Sequence, residues 1–399
     1  MASQTTIEIV KSTAPVLAEY GEAITTVFYQ RLFTNHPELK NVFNMTHQAR
    51  GTQSKALANA IFAYATYIDN LSVLTAAVEQ ITQKHSSLTI TPAMYELVGA
   101  NLLAAIQEVL GDAATPAIMD AWTEAYNDLA TLFITKEEHL YQEASQKKGG
   151  FRGQKAFVVT KKEAESSLIT SFYLKPADGT EVPSFRAGQY VAVSVQMPNE
   201  SHLHTRNYSL SGCSTQKTLR ISVKKEVGNP QGIVSTYLHE QIGVGDTLLL
   251  GIPAGEFVLQ ATQKPIVLIA GGVGITPLMS MFMELFHQSD NEVLFIQCAK
   301  NSSVHAFKEM SQKLAAQKPS LQVISMYDDP LSADVADGIQ QFSGLLTLDV
   351  LKEKLSSLDA DYYFCGPTGF MKSVQQLLLS ADIPSEQLHY EFFGPSENL

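Results

Sequence analysis

The first third of the chain places its apolar residues at helical spacing. Leu57, Ile61, Tyr64 and Ile68 follow one another at intervals of 4, 3 and 4 residues, which puts their side chains on one face of an α-helix. Alternating β-branched residues are few in this part of the chain. The pattern therefore predicts an all-α domain over residues 1–146.

The pattern changes after residue 155. Short apolar segments such as KAFVVT, QYVAVSV and LRISVKK are separated by turns rich in Gly, Pro and Asn, which is typical of antiparallel strands. The polar segment QKKGGFRGQ at 146–154 separates them from the helical part and has the composition of a joint. We therefore expect an antiparallel β-barrel domain over residues 152–262.

A third pattern begins near residue 263, after the polar joint ATQKP at 261–265. A strand, PIVLIA, is followed by a glycine turn, a helix, PLMSMFMELFHQ, and a second strand, EVLFIQCAK. Strands that alternate with helices in this way form parallel sheets. The sequence therefore predicts an α/β domain with a parallel sheet over residues 263–399.

Composition and charge narrow the function classes. Of the 399 residues 45% are apolar and 17% charged, as in soluble globular proteins. The net charge of −12 argues against an extended nucleic-acid surface. No run of 18 apolar residues occurs, and MASQTTIEIVKSTAP lacks the layout of a signal peptide, so we expect no stable membrane insertion and a cytoplasmic location. Three scattered cysteines predict neither a disulfide framework nor a CxxC metal site.

Three polar residues, His85, Tyr95 and Glu137, continue apolar stripes on three separate predicted helices and should face the interior. A buried carboxylate needs hydrogen-bond donors, so Glu137 is expected to accept from Tyr95 or His85. An inward histidine is more often a core residue than a ligand. A histidine whose second nitrogen donates to a carboxylate or phenol, however, has the usual arrangement of a metal ligand. Both interpretations stay open on these residues alone.

The barrel segment carries a candidate anion and ring-stacking site. In HTRNYSLSG at 204–212, Arg206 can neutralise a pyrophosphate, the Tyr208 ring can stack on an isoalloxazine and Ser209 can hydrogen-bond a flavin nitrogen. The turn in GNPQGIVSTYLHE opens a helix whose N–H groups, with Ser235, can receive phosphate oxygens. Tyr190 lies on the preceding strand. The four residues of the Arg-x-Tyr-Ser arrangement have little specificity by themselves.

Two turns in the third domain form a second candidate site. GGVGITP at 271–277 differs from the G-x-G-x-x-G fingerprint and, taken alone, fits a tight turn before a helix. DYYFCGPTGF at 361–370 ends another predicted strand at Cys365. Both turns should lie at the carboxyl edge of one parallel sheet, where ligands bind. Cys365 would fit equally well as a small buried residue.

The helical third resembles a globin, and its pairing of an inward histidine with a tyrosine and a glutamate resembles the flavohaemoglobins of bacteria and yeast. The resemblance implies a haem b group with His85 as the iron ligand. It places Phe43 and Leu57 against the haem. The residues with implied catalytic roles are Tyr29 and Gln53 on the oxygen side, and Tyr95 and Glu137 on the side of the histidine.

The remaining two thirds resemble the ferredoxin-NADP reductase family as it is fused in flavohaemoglobins. The residues implied to bind FAD in the barrel are Tyr190, Arg206, Asn207, Tyr208, Ser209, Gly232, Val234 and Ser235. Those implied to bind NADH or NADPH are Gly271, Gly272, Val273, Gly274, Ile275, Thr276, Cys365, Gly366 and Pro367. In this family a C-terminal segment packs against FAD, and its counterparts here are Glu391, Phe392, Phe393, Gly394 and Pro395.

The resemblance implies nitric oxide dioxygenation for NO detoxification, in which NO and O2 give nitrate at a haem that NAD(P)H re-reduces through FAD. The flavin is needed because it converts a hydride into single electrons. One alternative is an NAD(P)H-dependent reductase of O2 or of a lipid hydroperoxide. Another is a haem-based O2 or NO sensor or carrier, which would not need the reductase motifs. NSSVHAF lacks an arginine for a 2′-phosphate and so favours NADH, and a lipid is a further candidate ligand of the haem pocket.

Overall fold

A computed structural model of the chain describes residues 2–49, 51–229, 231–336 and 346–394. The chain folds into two compact units. The first consists of Met1–Gln146, Phe151–Gln154 and Ala192–Arg206, and the second of Lys147–Gly150, Lys155–Val191 and Asn207–Leu399. Because residues of two strands belong to the first unit, this division does not follow the chain order of the three expected domains. The expected limits at 146, 152 and 262 stay a prediction.

The helical part of the first unit confirms the all-α expectation. Its described residues form α1 (Gln4–Ser12), α2 (Ala14–Asn35), α3 (Met45–Ala49), α4 (Thr52–Tyr67), α5 (Thr75–Leu88), α6 (Pro92–Leu110) and α7 (Pro116–Gln146). Side chains from five of these helices form the core, among them Val10, Phe28, Leu32, Tyr64, Ile106 and Trp122. Burying each large apolar side chain contributes about 1.5–3 kcal/mol, so this core is what holds the helices together.

The turn between α5 and α6 brings two helices of the expected site close to each other. Thr89 ends α5 in the left-handed conformation, with φ of 63°. Pro92 occupies the first turn of α6, where its missing N–H costs nothing; the Thr91 side chain before it makes no capping hydrogen bond.

No single helix among the described residues has the length and apolarity to span a membrane. The two segments Leu71–Leu88 and Pro92–Ala113, which are bent by 117° relative to each other, meet that test only when they are taken together.

A six-stranded sheet with antiparallel pairing follows the helical part. Its elements are β1 (Lys155–Ala164), β2 (Ile169–Pro176), β3 (Tyr190–Gln196), β4 (Leu203–Ser209), β5 (Leu219–Lys224), α8 (Ile233–Gln241) and β6 (Thr247–Leu250). The strand order is β4-β3-β6-β1-β2-β5. An isolated antiparallel bridge between Leu210 and Ile221 brings the two ends of this order together without forming a continuous ladder. The sheet thus has the curvature of the expected barrel.

The last part of the chain forms the expected parallel sheet. Its elements are β7 (Ile266–Gly271), α9 (Ile275–Gln288), β8 (Val293–Ala299), α10 (Lys308–Ala315), β9 (Leu321–Tyr327), α11 (Ser332–Ala336), α12 (Leu348–Lys354), β10 (Asp361–Cys365), α13 (Thr368–Ser380) and β11 (Leu388–Glu391). The strand order is β11-β10-β7-β8-β9. The order reverses between β7 and β10, and in α/β sheets ligands bind at such a reversal.

The continuous apolar run of β7 is explained by burial of both its faces. Ile266, Leu268 and Ala270 pack into the cluster that contains α9, while Val267 and Ile269 pack into the cluster that contains α13. Successive side chains of a strand point to opposite faces, so a strand covered by helices on both sides carries apolar residues at every position. This central position fixes the end of β7, where the glycine turn begins.

Candidate functional site

His85, Tyr95 and Glu137 lie within hydrogen-bonding distance of one another, although they belong to three helices. Nδ1 of His85 is 2.8 Å from Oε1 of Glu137 and 2.9 Å from the Tyr95 hydroxyl. The Tyr95 hydroxyl also donates to the same Glu137 oxygen at 2.5 Å. The stripes on α5, α6 and α7 therefore meet at one point, as their periodicity predicts.

These contacts fix the protonation of the His85 ring. Because Tyr95 donates its proton to Glu137, the phenol oxygen can only accept from His85, and the Glu137 carboxylate also accepts. Nδ1 therefore carries the proton and shares it between the two oxygens. A metal ligand needs its lone pair on the opposite nitrogen, Nε2, and a proton on Nδ1 is compatible with that tautomer.

Glu137 is buried in this trio, whereas His85 is partly exposed. Only 3% of the Glu137 side chain is exposed, whereas 31% of the His85 side chain is. Burial, and secondarily the Glu137 carboxylate, raise the pKa of Tyr95 well above its usual value, so the phenol stays protonated. A buried glutamate that donates nothing and a histidine ring that is open at Nε2 fit a haem iron bound at His85.

Neighbouring groups hold the trio in place. The Tyr126 hydroxyl donates to the Tyr95 carbonyl at 2.5 Å, and the Tyr141 hydroxyl donates to the Ile90 carbonyl at 2.8 Å. The Phe133 ring lies against both His85 and Tyr95, with centroid distances of 5.8 and 6.3 Å. The Tyr126 and Tyr141 contacts could not be predicted from local patterns, since each joins a side chain to a distant backbone carbonyl.

Tyr29 and Gln53 form a second polar pair in the helical unit. Tyr29 on α2 is 4% exposed and its hydroxyl is hydrogen-bonded to Gln53 on α4. Burial raises the pKa of Tyr29, an effect that the Gln53 hydrogen bond only partly opposes. The phenol is therefore a neutral hydrogen-bond donor in an apolar environment, where a donor interacts more strongly than in water.

Aromatic rings surround Tyr29. The Phe43 ring meets it edge-on at a centroid distance of 5.9 Å, and the Phe33 ring stacks on it at 5.8 Å. Phe43 and Leu57 are both partly buried against the same core cluster as Tyr29. The structure thus brings Tyr29, Gln53, Phe43 and Leu57 to one apolar region. Phe33 is a member of it that the sequence did not single out.

The expected flavin residues are arranged along β3 and β4. Tyr190 begins β3, and the Leu210 N–H donates to the Gln189 carbonyl at 2.8 Å, so Tyr208 and Ser209 lie beside the start of β3. Asn207 is exposed, Tyr208 is half-buried and Ser209 is 6% exposed. The alternation puts Arg206 and Tyr208 on the same face of β4.

Arg206 is engaged by protein groups that the sequence did not suggest. Its guanidinium donates to the Thr205 carbonyl at 2.8 Å and to the Thr46 hydroxyl at 2.9 Å. Asn41 contacts the same strand, because its side chain accepts from the Leu203 N–H at 2.7 Å. Thr46 and Asn41 are about 160 residues away in sequence, and no local pattern could have identified them.

The start of α8 has the features of a phosphate-binding turn. Gly232 precedes the helix, and a side chain there would fall 2.6 Å from Ser235 Oγ and 2.7 Å from the Glu226 side chain. Val234 is buried and holds the helix in place. The first N–H groups of a helix lack partners within it, and the buried Thr236 hydroxyl has no hydrogen-bond partner either. Ser235 Oγ, by contrast, accepts from the Glu226 N–H at 3.1 Å. Free donors at this turn fit an anionic group of FAD.

The two glycine turns of the parallel sheet touch each other. Cys365 of β10 pairs with Ala270 of β7, so both strands end at the same edge. At Gly274 an added β-carbon would fall 2.2 Å from the Cys365 carbonyl oxygen. At Gly271 and Gly366 it would meet the Phe370 ring at 2.8 and 2.7 Å. Only glycine allows this approach.

The other residues of this expected site border the same edge. Gly272 has a positive φ of 53° and lies between β7 and α9, where Val273 is partly buried. Ile275 and Thr276 are buried in the first turn of α9, and the Thr276 hydroxyl donates to the Val273 carbonyl at 3.0 Å. Pro367 precedes α13. The N-termini of α9 and α13 thus flank the reversal in strand order, an arrangement that fits the phosphates of a nicotinamide nucleotide.

Cys365 and Glu391 are neighbours on adjacent strands. They are paired in the register of β10 and β11, and the Cys365 thiol donates to the Glu391 carbonyl at 3.4 Å. Burial raises the pKa of the Cys365 thiol well above its usual value, so the sulfur is a neutral thiol. Burial also raises the pKa of Glu391 to about 8, and its buried Oε2 atom has no hydrogen-bond partner.

The C-terminal segment is described as far as residue 394. Phe392 is partly buried against the core of the parallel sheet, whereas Phe393 is 47% exposed. A β-carbon added at Gly394 would lie 3.0 Å from the Phe392 ring. Pro395 lies outside the described residues. An exposed aromatic ring beside a buried carboxyl without a partner fits a surface that a flavin ring covers.

Three known families match this chain. The sequence matches the globin family over residues 26–132, the oxidoreductase FAD-binding domain over 156–259 and the oxidoreductase NAD-binding domain over 268–376. Each match falls within one of the three domains expected from the sequence.

Relatives match the chain over its full length. A flavohemoprotein of Halalkalibacterium halodurans is 48% identical over 402 residues, covering 100% of this chain and 98% of the relative. A flavohemoprotein of Bacillus subtilis is 45% identical over 401 residues, covering 100% of this chain and 99% of the relative.

Solved structures give the same result. The flavohemoglobin of Malassezia yamatoensis, solved with bound FAD and heme, matches with a TM-score of 0.82 and 27% identity over 98% of this chain and 99% of that one. The FAD/NAD-binding domain of a nitric oxide dioxygenase from Vibrio cholerae matches with a TM-score of 0.56 and 35% identity, covering 60% of this chain and 99% of that one.

The three domain families and the three groups of residues together account for the cofactors. Haem belongs to the globin domain, FAD to the antiparallel domain and the nicotinamide nucleotide to the parallel one. The chain is therefore an oxidoreductase, and it belongs to the flavohaemoprotein family.

Proposed function

We propose that this flavohaemoprotein is an NAD(P)H-dependent nitric oxide dioxygenase that removes NO from the cytoplasm. The overall reaction is 2 NO + 2 O2 + NAD(P)H giving 2 nitrate, NAD(P)+ and H+. The observation that carries the proposal is the hydrogen bond between Nδ1 of His85 and Oε1 of Glu137, at 2.8 Å. When bound, the haem supplies the site where O2 and NO react, and FAD divides the hydride of the nicotinamide nucleotide into single electrons.

The His85, Tyr95 and Glu137 trio would determine what the haem does. A carboxylate that accepts from Nδ1–H makes the ring a stronger electron donor at Nε2. Strong donation from the ligand favours the activation of O2 over its storage. Tyr95 directs the Glu137 oxygen toward His85, because its own hydroxyl donates to that oxygen at 2.5 Å.

Tyr29 and Gln53 would act on the oxygen side. The neutral Tyr29 phenol, which is hydrogen-bonded to Gln53, would donate a hydrogen bond to a diatomic ligand of the haem. The rings of Phe33 and Phe43 exclude water from the Tyr29 hydroxyl, which strengthens that hydrogen bond. These residues would retain O2 until NO arrives.

The reductase residues would hold the two nucleotides. The turn before α8 would receive a phosphate group of FAD, and Tyr190 and Tyr208 would border the flavin. The turns that meet at Gly274 and Cys365 would bind the nicotinamide nucleotide. The segment NSSVHAF after β8 lacks an arginine for the 2′-phosphate of NADPH, which supports NADH. A lipid ligand of the haem pocket stays a prediction from the resemblance.

A steady-state assay distinguishes this function from reduction of O2 or of a lipid hydroperoxide. With NADH, O2 and NO supplied, we expect two nitrate ions for each NADH oxidised, and no NO consumption when O2 is omitted. If linoleic acid hydroperoxide accelerated NADH oxidation as much as NO does, and nitrate did not accumulate, the reductase alternative would replace the proposal.

A further inference from the structure

The hairpin between β3 and β4 carries two histidines and a glutamate at alternate positions. Glu200, His202 and His204 are each separated by one residue; His204 lies in β4, and Glu200 and His202 precede that strand. The rings of His202 and His204 contact each other in a tilted arrangement, with centroids 4.7 Å apart and an angle of 33° between their planes. None of these residues belongs to the haem, flavin or nucleotide sites described above.

Three ring nitrogens of this group lack hydrogen-bond partners. Both ring nitrogens of His202 and Nε2 of His204 are buried and make no hydrogen bond. His204 itself is only 8% exposed. Its Nε2 atom lies 3.7 Å from Oε2 of Glu200, which is too long for a hydrogen bond. Leaving a buried polar atom unpaired costs about 1–3 kcal/mol, so three such atoms in one hairpin need an explanation.

An ion pair does not provide one. Closing the gap between Glu200 and His204 would satisfy one of the three nitrogens and would leave both nitrogens of His202 unpaired. A metal ion would accept a lone pair from each ring at once. One ligand atom from each of Glu200, His202 and His204 lies within 4.8 Å of the other two, and across the described parts of the chain no other His, Cys, Asp or Glu group of three comes this close.

We propose that Glu200, His202 and His204 form a zinc site. Zinc is bound by histidine nitrogen at about 2.0–2.1 Å and by carboxylate oxygen at about 2.0–2.2 Å in tetrahedral geometry, which requires ligand atoms about 3.4 Å apart. The three ligand atoms lie within 4.8 Å of one another, so zinc binding would draw them together by at most about 1.4 Å. Imidazole ligands favour zinc over Mg²⁺ and Ca²⁺, which take oxygen ligands. Water would complete the fourth position.

The site would stiffen a segment that contacts Asn41. The Leu203 N–H donates to the Asn41 side chain at 2.7 Å, and the Thr205 hydroxyl donates to the Asn41 carbonyl at 3.0 Å. His204 lies between these two residues. A metal ion that joins His204 to Glu200 and His202 would therefore reduce the freedom of the hairpin on the strand that carries Arg206.

The test titrates metal-free holoprotein, loaded with haem and FAD, with zinc sulfate in a calorimeter. We expect one tight zinc equivalent for the unchanged protein, and at least a tenfold weaker one in His202→Gln and in His204→Gln. Zinc X-ray absorption should show imidazole scattering from two rings. The Soret and flavin spectra of each variant establish that it is folded; if His204→Gln failed this check, His202→Gln would decide.

The matched control is His139→Gln. His139 is also a histidine beside a carboxylate, 3.1 Å from Glu143, but both are exposed and the pair has only two ligands. This variant should bind zinc like the unchanged protein. Absence of a tight equivalent in the unchanged protein, or the same zinc affinity in His202→Gln as in His139→Gln, would overturn the site.

Discussion

Glu137 Oε1 lies 2.8 Å from Nδ1 of His85, and the Glu137 side chain is almost completely buried. A carboxylate that accepts a hydrogen bond from a metal-ligating histidine makes that histidine a stronger electron donor to the metal than a neutral acceptor does. The proposed dioxygenase activity depends on this pair, because Tyr95 and Phe133, which also contact His85, carry no charge.

Replacing Glu137 by glutamine should remove the charge and keep a hydrogen-bond acceptor. We expect NO consumption to fall by about 10–100-fold, the range typical of changes to the partner of a metal-ligating histidine. The iron–histidine stretching frequency, measured by resonance Raman spectroscopy, should fall with it. The neighbouring Glu138→Gln is the control, since Glu138 is exposed and bonded to Arg152. Equal activities of the two variants would remove Glu137 from the mechanism.

Removing the His85 side chain should abolish haem retention. We expect His85→Gly to purify without a Soret band while NADH still reduces its FAD, because the reductase residues belong to other elements. Added imidazole should restore haem binding by filling the space of the lost ring. Five-coordinate haem in this variant without imidazole would contradict the assignment of His85 as the ligand.

Tyr29→Phe removes the phenol and keeps the ring packing among Phe28, Phe33 and Phe43. The expected result is an O2 dissociation rate at least tenfold faster, since one hydrogen bond to a charged group contributes about 1.5–3 kcal/mol. Flash photolysis of the O2 complex gives the rate. Tyr64→Phe, which removes another buried hydroxyl bonded to the Ala125 carbonyl, should leave it unchanged. A similar rate in both variants would exclude Tyr29.

Gly274→Ala should disrupt the nicotinamide site. Its β-carbon would fall 2.2 Å from the Cys365 carbonyl oxygen, so the two turns must separate. We expect FAD reduction by NADH, followed by stopped-flow absorbance, to slow at least tenfold while haem binding is unaffected. Gly369→Ala tests the specificity of this effect, because nothing lies within 4 Å of that added carbon. If the Gly274 variant reduced its flavin as fast as the Gly369 variant, the two turns would not form the site.

Glu391 gives a pH dependence with a definite sign. Because its pKa rises from 4.5 to about 8 on folding, the folded chain keeps a proton that the unfolded chain releases. The resulting stabilisation is complete below pH 4.5 and is lost as pH rises through 8. Glu391→Gln should therefore weaken the fall in melting temperature between pH 6 and 9. The exposed Glu386→Gln should keep that fall, and an unchanged slope in Glu391→Gln would show that this carboxyl is already ionised.

The local parts of the site could be predicted from the sequence. His85 and Glu137 each continue an apolar stripe of a helix and so should face inward, and in the folded chain the two side chains meet. The βαβ pattern predicts that β7 and β10 end at the same edge of a parallel sheet, and at that edge Gly274 lies beside Cys365. The periodicity of apolar residues indicates which face of an element is buried. For His85 and Glu137, knowing the buried face was enough to predict that they lie in the interior.

The long-range contacts could not be predicted in this way. The Thr46 hydroxyl accepts from Arg206 across 160 residues, and Phe370 packs against two glycines of different turns. Such contacts depend on how elements are positioned against each other, and hydrophobic spacing carries no information about that. The unpaired nitrogens of His202 and His204 were missed for the same reason, because their burial depends on neighbours that the hairpin sequence does not contain.

The most direct measurement is a single-turnover reaction of the reduced, O2-loaded protein with NO in a stopped-flow instrument, with nitrate determined by rapid quench. The account predicts one nitrate per haem, formed within the mixing time and much faster than NADH is oxidised without NO. Nitrate formation no faster than that background oxidation would contradict the assignment of this flavohaemoprotein as a nitric oxide dioxygenase.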